Sequence, residues 1–455
     1  MLKEALFGTR QDFTTGSLGR AITLLAIPMI LEMMMESLFG VVDVFFVSRL
    51  GADAISTVGL TESLLTLVFG VAIGLSTATT AFVARRIGEK DSAGAAIAAV
   101  QSIAAGIAVS IIVGIAGFFY APRMLHLMGA GPAVVAVGQH YTRIMLSGSV
   151  VIFLLFLINA IFRGAGDAAL AMRALWLANA INIVLDPCLI NGWLFFPHLG
   201  VAGAAVATTT GRGIGVAYQV YLLLGGKSRL TIGLRQIRLD IAVLRRLVRV
   251  SLTGIVQFLV VTASWLALVR IVSVFGSQAV AGYTIAVRLI IFTVLPSWGL
   301  SNAAATLVGQ NLGAGQPQRA ETSVYRAGWY NCAFLAAVSL VFIFAPAPLV
   351  AFFTHDPAIA SVAVDCLRIF SYCYASYAWG MVLVQAFNGA GDTLTPTLMN
   401  FLAFWVIQLP VAWLLAFHTT LGVRGAFTAV PIADLALTAM ALFMFRQGRW
   451  KLQKI

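Results

Sequence analysis

The 455-residue sequence predicts an all-α membrane protein, with twelve transmembrane helices in two pseudo-symmetric six-helix lobes. Three observations carry that fold class. Sixty per cent of residues are hydrophobic and 10% charged, with a mean hydropathy of +0.95, whereas soluble domains are about one quarter charged. Apolar runs of roughly twenty residues recur, each long enough to cross a ~30 Å hydrocarbon core as a helix. The chain also repeats itself: Phe162-Arg163-Gly164-Ala165-Gly166-Asp167 returns as Phe387-Asn388-Gly389-Ala390-Gly391-Asp392, an offset of 225. Leu50-Gly51 and Phe275-Gly276 share that offset, as do Gly88 and Gly313, while Leu199-Gly200-Val201-Ala202-Gly203-Ala204 and Leu421-Gly422-Val423-Arg424-Gly425-Ala426 lie 222 apart.

In chain order the spans are expected near 22–48, 57–83, 94–120, 140–162, 172–193, 201–224, 250–274, 281–307, 325–350, 361–387, 396–418 and 423–446. Residues 1–224 make an N-lobe of spans 1–6, 225–249 a cytoplasmic amphipathic linker, and 250–455 a C-lobe of spans 7–12 with a short basic cytoplasmic tail. No cleavable signal peptide is expected, because the first apolar run is full length, carries three acidic residues and is followed by no small-residue cleavage site. The cysteines Cys188, Cys332, Cys366 and Cys373 lack metal-ligand spacing and read as packing residues.

Basic residues fix the expected orientation. The gaps after spans 2, 4, 6 and 8 are rich in them, from Arg85, Arg86 and Lys90 through Arg163 and Arg173 to Arg319 and Arg326. The termini add Lys3, Arg10, Arg20, Arg446, Arg449, Lys451 and Lys454, whereas the alternate gaps hold Arg49, Arg123, Arg143, Arg368 and Arg424. That asymmetry predicts a multi-pass inner (plasma) membrane protein with both termini cytoplasmic, and attributes the +12 net charge to topology rather than to nucleic acid. All five histidines, His126, His140, His198, His355 and His418, then fall at the outer interface. Arg235, Arg238, Arg245, Arg246 and Arg249 alternate with aliphatic residues, as in a connector lying on the inner leaflet. Six spans per half keep the copies in one orientation, a parallel repeat whose substrate is handled between the lobes. The Gly-Ala-Gly-Asp turns lack the Lys-Ser or Lys-Thr of a phosphate loop, so Asp167 and Asp392 read as turn and cap residues.

The chemistry concentrates in span 1. On a helix Glu36 lies ~40° and Asp43 ~20° from Glu32, so the three carboxylates form one stripe, too costly to face lipid. Carboxylates crowded in a poorly solvated site resist being charged together, which suits proton uptake and release. Span 5 places Asn179, Asn182 and Asp186 at one-turn intervals before Pro187, with Asp186 at the depth of Asp43, about six residues (~9 Å) inside the outer boundary. Thr208 in span 6 reaches a similar depth, and Glu62 and Asp434 are further acidic candidates. Asp43, Asp186, Asn182, Asn179 and Thr208 are therefore the expected cation-coupling set, Glu32, Glu36, Met33 and Gln257 the expected substrate cavity, and Pro28 a hinge. The second half lacks this chemistry: Asp43 maps to Leu268 and Asp186 to Val411.

With these residues in hand the chain resembles the multidrug and toxic compound extrusion (MATE) family over nearly its whole length. The resemblance rests on Pro28, Val42-Asp43 and Leu50-Gly51, on Asn182-Ile183-Val184-Leu185-Asp186-Pro187, on the Gly-Val-x-Gly-Ala-Ala-x-Ala-Thr run at 200–208, and on the paired Gly-Ala-Gly-Asp turns. It implies a MATE-like fold and no enzyme activity: a monomeric antiporter in the lipid bilayer that expels small organic, often cationic, drug-like compounds without a cofactor as H+, or else Na+, enters. The acidic first lobe is similar to the DinF-like branch, whose aspartates and asparagine correspond to Asp43, Asp186 and Asn182. The NorM-like branch has second-lobe carboxylates, whereas here Gln257 occupies the span 7 position and span 10 has no acidic residue between Leu367 and Asn388. The alternative from the same superfamily is a flippase for lipid-linked oligosaccharides or peptidoglycan precursors, whose phosphates call for a basic cavity.

Overall fold

The computed structural model describes the whole chain except Thr9, Arg10, Leu194 and Lys454, so two of the basic terminal residues named above lie outside the described residues. Among the described residues there are helices, turns and no strand. Spans 1–3 are the helices Leu18–Ser48, Ala52–Gly88 and Ser92–Leu127. Span 4 runs from Pro132 to Ala165 with an interruption at Gly148, and spans 5 and 6 are Ala168–Asn191 and Val201–Leu224. Spans 7–9 are Ile241–Ser273, Ser277–Gly313 and Pro317–Phe344. Span 10 is a pair, Pro357–Ser371 and Tyr374–Ala390, bent by 59°. Span 11 joins Leu394–Phe401 to Leu409–Phe417 through a π-helical stretch, Leu402–Gln408, and span 12 is Val423–Arg446.

Among the described residues, nine helices are long and apolar enough to cross a membrane on length and composition, or ten with the bent pair. Spans 1 and 6 carry several polar groups, Glu32, Glu36 and Asp43 in the first and three threonines with Arg212 in the second. Both pack within the bundle, span 1 against span 5 and span 6 against spans 5 and 4, so their polar groups are shielded from lipid.

The duplication is visible in the backbone. Gly51 and Gly276 have φ of 102° and 97°, and Gly166 and Gly391 both have 87°, values that side chains with a Cβ rarely adopt. The halves meet reciprocally. Gly88 of span 2 lies on the Gln310 carbonyl and Gly313 of span 8 on the Arg85 carbonyl, each too close for a Cβ, and Arg85 and Gln310 are themselves 225 apart. Gly74 likewise abuts Ile255 of span 7, and Gly299 abuts Met29 and Ile30 of span 1. Exchange of equivalent contacts is what a pseudo-two-fold axis between two lobes produces.

Two local readings shift. Residues 241–249, read as the second half of the linker, are the first turns of span 7, whose N-terminus Asp240 caps through the amides of Ala242 (3.0 Å) and Val243 (3.1 Å). Asp392 does bond the Thr395 amide (3.1 Å) and hydroxyl (2.7 Å), but Asp167 turns to the connection after span 6 instead, accepting from Ser228 Oγ (2.8 Å) and the Arg229 amide (2.6 Å) and pairing with Arg229 Nε (3.2 Å). An ion pair with a neighbouring segment outbids the local cap. Pro28 is buried within a continuous helix.

Candidate functional site

The carboxylate stripe of span 1 faces spans 4, 5 and 6, inside the N-lobe. Glu32, 2% exposed, accepts from Asn159 Nδ2 (3.0 Å) and pairs with Arg163 Nη1 (3.0 Å), while Gln219 Nε2 donates to Asn159 Oδ1 (2.7 Å). It is therefore a buried, neutralised group and not an open cavity wall. One turn on, Glu36 pairs with Arg212 Nη2 (3.6 Å) and accepts from Asn179 Nδ2 (3.2 Å). Asn179 thus serves Glu36 rather than Asp186, because span 5 runs alongside span 1 and the polar rungs of the two helices meet at equal depth.

Asp186, 0% exposed, accepts from Asn182 Nδ2 (3.4 Å), which also donates to Thr208 Oγ1 (3.0 Å). Three residues expected together are brought together. Gly211 makes this possible: its Cα rests on the Ala178 carbonyl and on Asn182, drawing spans 5 and 6 close. Asp43, 7% exposed, lies within electrostatic reach of Asp186, Glu62 and Arg212. One oxygen on each aspartate, Asp43 Oδ1 and Asp186 Oδ2, is buried without a hydrogen-bond partner. Met33, Glu36 and Gln257 are partly exposed, and Glu62 is exposed.

Several members of the site carried no earlier assignment. Arg212, 5% exposed, lies over the rings of Phe39 (5.5 Å) and Phe69 (5.7 Å), and its Nη1 is unpartnered. Tyr141, buried in span 4, stands among Asp43, Glu62, Arg212 and Asp186. Asn159, Arg163 and Gln219 complete the Glu32 cluster. A charge in mid-span four residues after Thr208 was the signal for Arg212; nothing local marks Tyr141. In the C-lobe Leu268 is part of an apolar core with Val272, Tyr283 and Phe427, and Val411 packs against it.

Ionisable groups gathered among the helices of a two-lobed apolar bundle fit a polytopic membrane transporter. The sequence profile of the MatE family matches the chain twice, at residues 28–188 and 254–414, once in each half. NorM of Thermotoga maritima, named a multidrug resistance protein, is 29% identical over 435 residues, covering 94% of this chain and 92% of its own. A crystal structure of a MATE protein in complex with MaL6 superposes with a TM-score of 0.89 at 27% identity, covering 96% of this chain and 97% of its own. A MOP superfamily transporter from Pyrococcus furiosus, described as having a binding pocket of reverse polarity, gives 0.89 at 27% identity, covering 97% and 98%. The chain belongs to the MATE family; it is a multi-pass transporter, not an enzyme.

Proposed function

We propose that the protein exports organic compounds, many of them cationic, by antiport against protons entering through Asp43 and Asp186, in the manner of the DinF-like branch. The single observation carrying this reading is a difference among neighbours. Glu32 and Glu36 each hold an arginine, whereas among the described residues Asp43 and Asp186 form no ion pair, Asp186 accepting from Asn182 and Asp43 lying near Arg212 and Tyr141. A buried carboxylate without a dedicated cation is stabilised by a mobile one, H+ or else Na+. The excess of basic residues at the termini and in alternate gaps supports cytoplasmic termini in the cell membrane, and one chain supplies every residue of the proposed site.

In the proposed cycle Asp43 and Asp186 take up cation from outside. Asp186 then loosens from Asn182, Arg212 redistributes toward Glu36, and span 1 bends at Pro28, where no amide hydrogen ties the helix. The drug is displaced outward from a surface that includes Met33, Met34 and Gln257, polarizable or adaptable side chains suited to varied shapes. Multidrug names among relatives support this substrate class. The flippase reading is disfavoured because Arg163 and Arg212 are already paired with glutamates.

The test is export of a fluorescent cation from proteoliposomes under an imposed pH gradient. Asp43→Asn and Asp186→Asn are each expected to lose gradient-driven export while still binding the compound. Undiminished export in both variants rejects the coupling role, and translocation of a lipid-linked sugar without a drug response favours the flippase.

A further inference from the structure

Span 7 carries charge and hydrocarbon on one side of the same helix. Arg249, Leu252, Val256, Leu259 and Ala263 all fall within ~40° of Arg245 around the axis, opposite the buried Leu247, Ser251 and Gly254. The stripe starts basic and continues apolar. Arg245 and Arg249 are exposed, and among the described residues neither side chain makes an ion pair or a hydrogen bond. The carboxylates that precede spans 7 and 11 are engaged elsewhere, Asp240 by the amides it caps and Asp392 by Thr395.

Beyond the arginines the stripe runs along span 11. Thr393 Oγ1 donates to the Val250 carbonyl (2.9 Å), Thr397 Oγ1 to that of Thr253 (3.0 Å) and Trp405 Nε1 to that of Val260 (3.0 Å), a seam that holds the two helices together. Beside the seam lies an open groove of about 290 Å³, lined by Val256, Leu259, Val260, Ala263, Phe401 and Trp405. Its walls are apolar, because the one indole N–H is spent on Val260. At 1.5 Å per residue the groove begins about 10 Å and ends about 21 Å beyond Arg249. One leaflet offers ~15 Å of hydrocarbon beneath ~6 Å of headgroup, so a phosphate at Arg249 puts the chain attached to it in the groove.

We propose that this face of span 7 binds one anionic glycerophospholipid, its phosphate held by Arg245 and Arg249 and one acyl chain lying between spans 7 and 11. Two arginines without acidic partners favour a headgroup of net negative charge over a zwitterionic one, whose own ammonium offsets its phosphate. The groove is open along its length and suits a flexible chain that continues into the bilayer, whereas a cationic compound there would be repelled by the arginines. The site lies apart from Asp43 and Asp186 and does not depend on the antiport reading.

Trp405, one of nine tryptophans, reports on the groove directly. The intact protein is reconstituted in vesicles of equal parts phosphatidylglycerol and phosphatidylcholine, with mid-chain bromine carried by one lipid or the other, and the quenching lost in Trp405→Phe is assigned to Trp405. Bromine on phosphatidylglycerol is expected to be favoured roughly tenfold. Arg245→Gln combined with Arg249→Gln should bring the two lipids to parity with the melting temperature unchanged. Ala263→Phe, which fills the groove and keeps both arginines, should remove the quenching at Trp405. Equal quenching by the two lipids in wild type, a preference that survives loss of the arginines, or quenching unchanged in Ala263→Phe overturns the assignment. Quenching relieved in wild type by tetraphenylphosphonium would give the groove to the exported compound and overturn it equally.

Discussion

The two lobes share a backbone and differ in what they bury. Where the N-lobe has Asp43, Tyr141, Asn182, Asp186 and Thr208, the C-lobe has Leu268, Cys366, Ile407, Val411 and Val430, and Arg212 is answered by Asp434. The left-handed glycines and the reciprocal contacts at the lobe interface recur in both halves. Backbone geometry therefore belongs to the duplicated scaffold, and chemistry to one copy of it. An apolar core needs no special partners, so the C-lobe can close over Leu268, whereas the N-lobe tolerates two incompletely satisfied aspartates that a purely structural lobe would replace.

Exchanging residues across the comparison should break it most strongly. Leu268→Asp buries an unpaired carboxylate in packed hydrocarbon and is expected to destabilise by about 5 kcal/mol, read as lost thermal stability in detergent. Asp43→Leu makes the N-lobe resemble the C-lobe there; it is expected to leave the melting temperature unchanged or raised while abolishing gradient-driven export. Equal destabilisation by both changes would mean that Asp43 is structural.

Breaking a satisfied pair should cost less than creating an orphan charge in the core. Glu32→Ala strands Arg163, and about 3 kcal/mol is expected; Glu32→Ala combined with Arg163→Ala should recover part of it in the same melting assay. The scaffold comparison predicts a smaller, symmetric effect. Gly51→Ala and Gly276→Ala enter open space at φ of 102° and 97° and should each cost about 1–2 kcal/mol, equal to within a few tenths. The smallest effect is expected at Asp392→Ala, about 1 kcal/mol for a lost cap. Asp167→Ala should exceed it because the bonds to Ser228 and Arg229 go as well, and hydrogen exchange should rise at 225–240 only in that variant.

Much of this was legible before any coordinates. Helical length, repeat offset and basic asymmetry are local or additive signals, and they yielded twelve spans in two lobes. The triad Asn182, Asp186 and Thr208 was legible because depth along a helix can be counted in residues. Pairings across the bundle were not. Glu32 and Arg163, or Glu36 and Arg212, are distant in sequence and meet only through the rotation of each helix about its axis, which apolar spacing fixes too loosely in a chain hydrophobic on most faces. The 59° bend of span 10 escaped for a related reason: span 4 breaks at Gly148, but the equivalent residues of span 10 are Tyr372 and Cys373, and neither glycine nor proline marks the break there. The π-helical stretch of span 11 does carry a mark, Pro410 just after it, whose missing amide breaks the regular helix ladder.

The central claim is that the exchangeable cation belongs to Asp43 and Asp186 and competes there with the exported compound. Proton release on addition of tetraphenylphosphonium to the purified protein, followed with a pH indicator in weak buffer, measures that competition without requiring transport. Wild type is expected to release protons on binding, and Asp43→Asn and Asp186→Asn to bind with markedly reduced release. Release undiminished in both variants would contradict the account.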